Sequence, residues 1–240
     1  MLNQAKNDLV IRYRKLIERL RSAEHRFGRT EGSVCLVAVS KTYPAQDIRS
    51  VAGEGQRDFG ENQVQDALGK IPILQQFGCT WHFIGPIQSN KCRDIAQNFD
   101  WVHSVDRLKI ARRLSELRPA SMAPLNIMLQ VNLQNESNKA GISPNAVSEL
   151  ANAVGQLSNI RLRGLMVIPL PEGNFERQRL AFASLRELRT TVNGELGTNM
   201  DYLSMGMTND LEAAVAEGTT HVRIGTAIFG PRQRRYSEGT

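Results

Sequence analysis

Residues 34–42 read Val-Cys-Leu-Val-Ala-Val-Ser-Lys-Thr, an unbroken six-residue apolar run that ends in a hydroxyl and a lysine. A run this short without alternation fits a strand buried on both faces, as in a parallel sheet covered by helices. Seven further β-rich runs follow: Asp58 to Glu61, Thr80 to Ile84, Trp101 to Ser104, Leu125 to Val131, Arg161 to Val167, Met200 to Ser204 and His221 to Ile224. Segments with helical periodicity lie between them: Ala45 to Gly53, Asn62 to Gly69, Ser89 to Asn98, Arg107 to Leu117, Pro144 to Leu157, Phe175 to Val192 and Asp210 to Glu217. Ser143-Pro144 and Thr208-Asn209-Asp210 read as helix starts.

Eight strands, the first seven each followed by a helix, within roughly 200 residues, is the arithmetic of a small (β/α)8 barrel. An open doubly wound sheet is the competitor, but it has fewer strands and carries a glycine-rich turn after the first. Neither GxGxxG nor a Walker sequence occurs in the chain. The expected architecture is a single-domain α/β (β/α)8 TIM barrel over 1–240, preceded by an amphipathic helix (1–28) and ending in a basic tail (232–240). The helix follows from Leu9, Tyr13, Leu16 and Leu20 at spacings of three and four, with Arg12, Arg14, Lys15, Arg19 and Arg21 opposite. Its apolar stripe is expected to pack on the barrel, and its arginines to be solvated.

The 240 residues are 41% hydrophobic and 22% charged, ordinary for a globular protein and too apolar for a disordered one. No apolar run approaches the roughly 20 residues that cross a bilayer, and Lys6, Arg12, Arg14 and Lys15 interrupt any leader-like stretch. Three cysteines without a CxxC pair (Cys35, Cys79, Cys92) argue against disulfides and structural zinc. A cytoplasmic protein is expected. The net charge of +6 lacks the basic stripe and interleaved aromatics of nucleic-acid binding. His82, His103 and His221 all fall in strands but lack metal-ligand spacing, so ring packing or hydrogen bonding around a bound cofactor is expected of them rather than a metal site.

Barrel chemistry sits at the carboxyl ends of the strands. Lys41 follows the first strand. A lysine there either reaches to the rim with its charge solvated, or is desolvated into a nucleophile suited to a carbonyl compound. Ser204 with Gly206, and Gly225 with Thr226, place hydroxyls and small residues after the last two strands, where barrels commonly bind phosphate. Aldehyde on one side and phosphate on the other suggest pyridoxal 5′-phosphate.

The sequence resembles the pyridoxal phosphate homeostasis proteins, single-domain relatives of the alanine racemase barrel. The resemblance rests on AVSKT (38–42), DFGENQVQ (58–65), WHFIGPIQSNK (81–91), SVD (104–106), the spacing of Asn132, Glu136, Lys139 and Gly141, GLMVIP (164–169), LSMGMTND (203–210) and VRIGTAIFG (222–230). It implies that Lys41 forms a Schiff base with the cofactor and that Ser204, Gly225 and Thr226 bind its phosphate. It further implies that Arg223 faces the pyridine nitrogen and that Asn62, His82 and Met205 surround the ring. An arginine there disfavours a protonated pyridine and weakens the electron sink. Racemases of this barrel add a tyrosine from a second domain. Only about ten residues follow Gly230 here, so no second domain is expected, and Tyr43 is the one tyrosine near the mouth. The expected protein is a monomeric carrier that holds pyridoxal phosphate and supplies dependent apo-enzymes; a weak racemase or lyase is the alternative. Lys91 and Lys139, near the mouth by sequence, either receive the aldehyde transiently or attract the phosphate, or are plain surface lysines.

Overall fold

The computed structural model describes residues 2–134, 136 and 139–231. The basic tail at 232–240 lies outside them. Eight parallel strands close into a barrel in chain order: β1 (Cys35–Val39), β2 (Asp58–Glu61), β3 (Thr80–Phe83), β4 (Trp101–Val105), β5 (Leu125–Val131), β6 (Ile160–Val167), β7 (Tyr202–Ser204) and β8 (His221–Ile224). Around them run α1 (Leu2–Arg26), α2 (Ala45–Gly53), α3 (Val64–Leu74), α4 (Cys92–Asn98), α5 (Leu108–Leu117), α6 (Val147–Gly155), α7 (Phe175–Leu196), α8 (Leu211–Ala216) and the single turn α9 (Thr226–Phe229). This is the single-domain (β/α)8 barrel expected from the strand count. The barrel closes where β8 pairs with β1, Cys35 opposite His221 and Val37 opposite Arg223.

A helix of one turn follows β8, and it is too short to cover the closing seam. Helix α1 packs there instead, against α2, α8 and α9. Leu9, Tyr13, Leu16, Leu20 and Ala23 are buried beneath it. Its arginines do not simply face water, as the charge pattern alone suggests. Arg19 donates to both oxygens of Glu212 at 2.6 Å and to the Thr208 carbonyl at 2.8 Å, and Arg12 donates to the Ile228 carbonyl at 2.9 Å. The Ile228 carbonyl, at the end of the single turn α9, has no partner within that helix, and Arg12 supplies its donor.

Several helix boundaries depart from the sequence expectation; α4 and α6, for instance, begin at Cys92 and Val147 after short 3-10 turns. α3 starts at Val64 because Gln63 is extended, and Asn62 before it turns to the barrel mouth. α3 also runs past Gly69 and carries Pro72 within it; the fully buried Leu74 offsets the lost backbone bond. α7 continues beyond Val192 because the left-handed residue that ends it is Gly197 (φ 60°), not Gly194. Asp210 does not cap α8 with its side chain; its carboxylate accepts from the Met207 N–H at 2.5 Å instead.

Most of the apolar core lies between barrel and helices. The barrel interior is unusually polar. Branched apolar side chains ordinarily fill it, whereas Ser204, His82, His103, His221 and Arg223 are buried there.

Gly164 on β6 marks a tight strand approach: a Cβ there would lie 1.8 Å from the Tyr202 carbonyl oxygen. Backbone cannot yield as a side-chain tip can, so Gly164→Ala is expected to cost at least about 3 kcal/mol. Gly173, with open space around it, serves as the control, and Gly173→Ala is expected to stay within about 0.5 kcal/mol. Urea denaturation of the two variants checks the pair; equal midpoints would show that β6 and β7 are not packed this closely.

Candidate functional site

The carboxyl ends of β1, β2, β3, β6, β7 and β8 surround a cavity of about 320 Å³, with Lys41, Asn62, Arg223, Gly225 and Thr226 on its wall together with Tyr43 and Thr208. Lys41 reaches this position through a tight turn in which the Tyr43 N–H donates to the Ser40 carbonyl at 3.1 Å. Thr42, within that turn, has φ 70°, a strained conformation for a β-branched residue. Strain beside a candidate reactive amine is consistent with a position held for function. On the opposite side of the seam Gly225 passes close to β1: a Cβ on it would stand 3.0 Å from the Val39 carbonyl oxygen. Within α9 the Ile228 and Phe229 N–H groups donate to the Gly225 carbonyl at 2.9 Å, so the N–H groups that open the turn are those of Thr226 and Ala227.

Arg223 is buried and charged. Nη1 donates to Ser204 Oγ at 2.5 Å and Nη2 to the Val167 carbonyl at 2.8 Å. Burial pulls its pKa down to about 10, which leaves it cationic at neutral pH. Tyr43 stacks on Phe229 with ring centroids 4.8 Å apart, and its hydroxyl donates to the Gly230 carbonyl at 2.5 Å.

Ser204, His82 and Met205 do not line the cavity. Ser204 is fully buried below Arg223, and its hydroxyl contacts His103 Nδ1 at 2.8 Å as well as the guanidinium. The serine hydroxyl thus bridges the guanidinium and the imidazole. His82 is fully buried in the barrel interior, between His103 (2.9 Å) and Asp58 (3.0 Å). Side chains alternate along a strand, so the residue two positions beyond His82, Ile84, takes the place at the wall. The three strand histidines do converge, with centroids 5.1 to 5.9 Å apart. They do so in the barrel interior beneath the cavity. Burial holds His103 well below the ordinary histidine pKa and His221 at about 3. Among the described residues no group of three or more His, Cys, Asp or Glu is disposed to hold a metal ion.

Neither Lys91 nor Lys139 lines the cavity. Lys139 pairs with Glu136 at 2.8 Å. The Asn132 to Gly141 spacing is a loop clip: Asn132 Nδ2 donates to the Glu136 carbonyl at 2.8 Å, and its Oδ1 accepts from the Glu136 N–H at 3.2 Å. A support behind Lys41 went unseen in the sequence. Glu61, fully buried, accepts from Lys70 Nζ at 2.6 Å and from Ser40 Oγ at 2.7 Å, and Lys70 also donates to the Ser40 carbonyl at 3.0 Å. The helical spacing of α3 places Lys70 toward β2, but nothing in the sequence marks it as buried.

The fold and its cavity define a single parallel barrel with a lysine and an arginine facing one another across the closing seam. The family model described as "Alanine racemase, N-terminal domain" matches residues 11–233. The chain is 56% identical over 218 residues to the pyridoxal phosphate homeostasis protein of Pseudomonas aeruginosa, covering 91% of this chain and 93% of that one. It is 47% identical to that of Escherichia coli K12 over 94% of this chain and 97% of the other. Among solved structures, PipY of Synechococcus elongatus PCC7942 with pyridoxal phosphate bound superimposes with a TM-score of 0.78 at 38% identity, covering 88% of this chain and 98% of that one. The chain belongs to the pyridoxal phosphate homeostasis family. Alanine racemase from Corynebacterium glutamicum shares the fold at 15% identity and a TM-score of 0.65, with 62% of its own length covered.

The Glu61–Lys70 pair supports a pH-dependent prediction. Burial, against the pull of Lys70 and Ser40, leaves the Glu61 carboxyl above its ordinary pKa. A raised folded-state pKa means that its contribution is favourable below the unfolded value and is lost as pH rises through the folded one. Lys70→Met strips the counter-charge and is expected to cost about 3–5 kcal/mol at neutral pH. The cost should shrink toward pH 5 as Glu61 takes up a proton. Urea unfolding of wild type and variant at both pH values tests this, and a pH-independent difference would contradict it.

Proposed function

We propose that this protein holds pyridoxal 5′-phosphate as a Schiff base on Lys41 and hands it on to dependent apo-enzymes, acting as a monomeric cytoplasmic carrier. One observation carries the reading: Lys41 and the Arg223–Gly225–Thr226 segment share one cavity across the β8–β1 seam. The residues present fit this ligand. The cavity has the volume of a small cofactor site. Lys41 suits an aldehyde, the close-packed Gly225 with Thr226 suits a phosphate, and Arg223 suits a ring nitrogen that accepts a hydrogen bond. The names of the relatives, which concern pyridoxal phosphate homeostasis, support the same assignment. When bound, the cofactor supplies an aldehyde that forms a reversible carbon–nitrogen double bond with an amine.

The chain's own groups favour storage over turnover. Asn62 and the rim residues would contact the ligand, and the Lys41 amine would take it up with loss of one water, the aldehyde oxygen leaving, and release it by the reverse addition of water. A cationic arginine that only donates weakens the cofactor as an electron sink. Racemisation also requires acid–base groups on both faces of the reacting carbon, and the Tyr43 hydroxyl is directed at the Gly230 carbonyl. Because Tyr43 nevertheless lines the cavity, a weak racemase or lyase activity is the second reading. It requires exchange of the α-proton of a single alanine enantiomer in deuterated water.

Protein loaded with pyridoxal phosphate is expected to absorb near about 420 nm, a general property of such cofactor imines, and to be bleached by borohydride with the label on Lys41. Lys41→Ala should lose both the band and the label. A persistent band in that variant would remove the assignment.

A further inference from the structure

The polar interior of the barrel has no role in the reading so far, and its hydrogen bonds form one connected path. Arg223 Nη1 lies 2.5 Å from Ser204 Oγ, which lies 2.8 Å from His103 Nδ1. His103 Nε2 lies 2.9 Å from His82 Nδ1, and His82 Nε2 lies 3.0 Å from Asp58 Oδ1. Arginine, serine and both histidines are 5% exposed or less, whereas the Asp58 side chain, at the amino end of β2, is 31% exposed.

With both rings neutral, the two ends set the direction of this path. A guanidinium only donates and a carboxylate only accepts. Ser204 Oγ therefore accepts from Arg223 and turns its own hydrogen to His103 Nδ1. His103 then carries its proton on Nε2 and donates to His82 Nδ1, and His82 carries its proton on Nε2 and donates to Asp58. Each buried group is satisfied once with both rings neutral. With neutral rings, reversing the path leaves His82 Nε2 and the Asp58 carboxylate as two acceptors face to face, at the cost of an unsatisfied buried polar group.

We propose that Asp58, His82, His103 and Ser204 are positioning residues for Arg223, a one-way donor path that pins the guanidinium to the cavity wall from the far end of the barrel. Alternative rotamers of Arg223 forfeit the Ser204 bond and strand the Ser204 oxygen. The consequence for cofactor binding rests on the function proposed above; the protonation pattern does not.

The first arm uses ligand-free wild-type protein with 15N-labelled histidine. Long-range proton–nitrogen correlation spectra are expected to show His82 and His103 as neutral rings protonated on Nε2. A ring protonated on Nδ1, or a charged ring, would overturn the proposal. The second arm compares Asp58→Ala with Asp58→Asn, the latter keeping an acceptor oxygen. Asp58→Ala is expected to disturb the His103 tautomer, although the two side chains do not touch, and to weaken pyridoxal phosphate binding by about tenfold, the worth of one hydrogen bond to a charged group. Asp58→Asn should restore both toward wild type. An alanine variant with unchanged His103 signals and affinity would overturn the idea. Should wild type bind no pyridoxal phosphate at all, the proposed function fails, and the wild-type tautomers still decide whether the path exists.

Discussion

The pairing of β8 with β1 is the constraint on which the site depends. Residues 41 and 223–226 come from opposite ends of the barrel sequence, the first strand and the last, and the register Val37↔Arg223, Ala38↔Ile224 sets them on one wall. Closing the barrel there is difficult because the eighth helix is a single turn. The N-terminal helix offsets this by burying its apolar stripe over the seam and by turning arginines to the carbonyls and carboxylate of the closing units. Its removal would expose the seam and loosen the wall that carries Lys41, so the helix and the cavity belong to one cooperative unit.

Both charged residues of the wall are supported by buried polar groups instead of apolar packing. Behind the Lys41 turn stand Ser40, Glu61 and Lys70; behind Arg223 stand Ser204 and the two histidines. Such arrangements are costly when any member is missing, since an isolated polar group in a low-dielectric interior has no water to fall back on. That cost is also their use: the groups have few alternative arrangements, and the cavity wall is ordered before a ligand arrives.

Much of the architecture was legible because strand length and helix period are local properties. β2, β5, β8 and α2 start and stop where their residues alternate or punctuate, and Lys41, Asn62, Arg223, Gly225 and Thr226 are at the cavity because they follow or end strands. What escaped was non-local. His82, His103, Ser204 and Asp58 come from four strands, and their contacts depend on registers that no single run specifies. Ser204 illustrates the limit: its place at the end of β7 suggests a ligand contact, yet the alternation Tyr202, Ser204 turns it inward under Arg223. Pro72 within α3 and Gly197 ending α7 show the same dependence, since burial of Leu74 and the left-handed turn decide where those helices stop.

A protein acting as the proposed carrier must bind firmly and still release, and different parts of the cavity suit the two demands. Firm binding would draw on fixed groups: a guanidinium hydrogen-bonded to Ser204 and Val167, a backbone turn at Gly225, and a lysine on a strained turn. Release requires access to the bond that holds the ligand, and the rim at that point is exposed, with Ile168 and Met207 both more than a third accessible. A lid there would exclude water and favour turnover. In the proposed carrier, water or another amine would reach the carbon bonded to Lys41 through this exposed rim. A polar, hydrogen-bonded interior beneath an accessible mouth fits the proposed retention and exchange of the ligand.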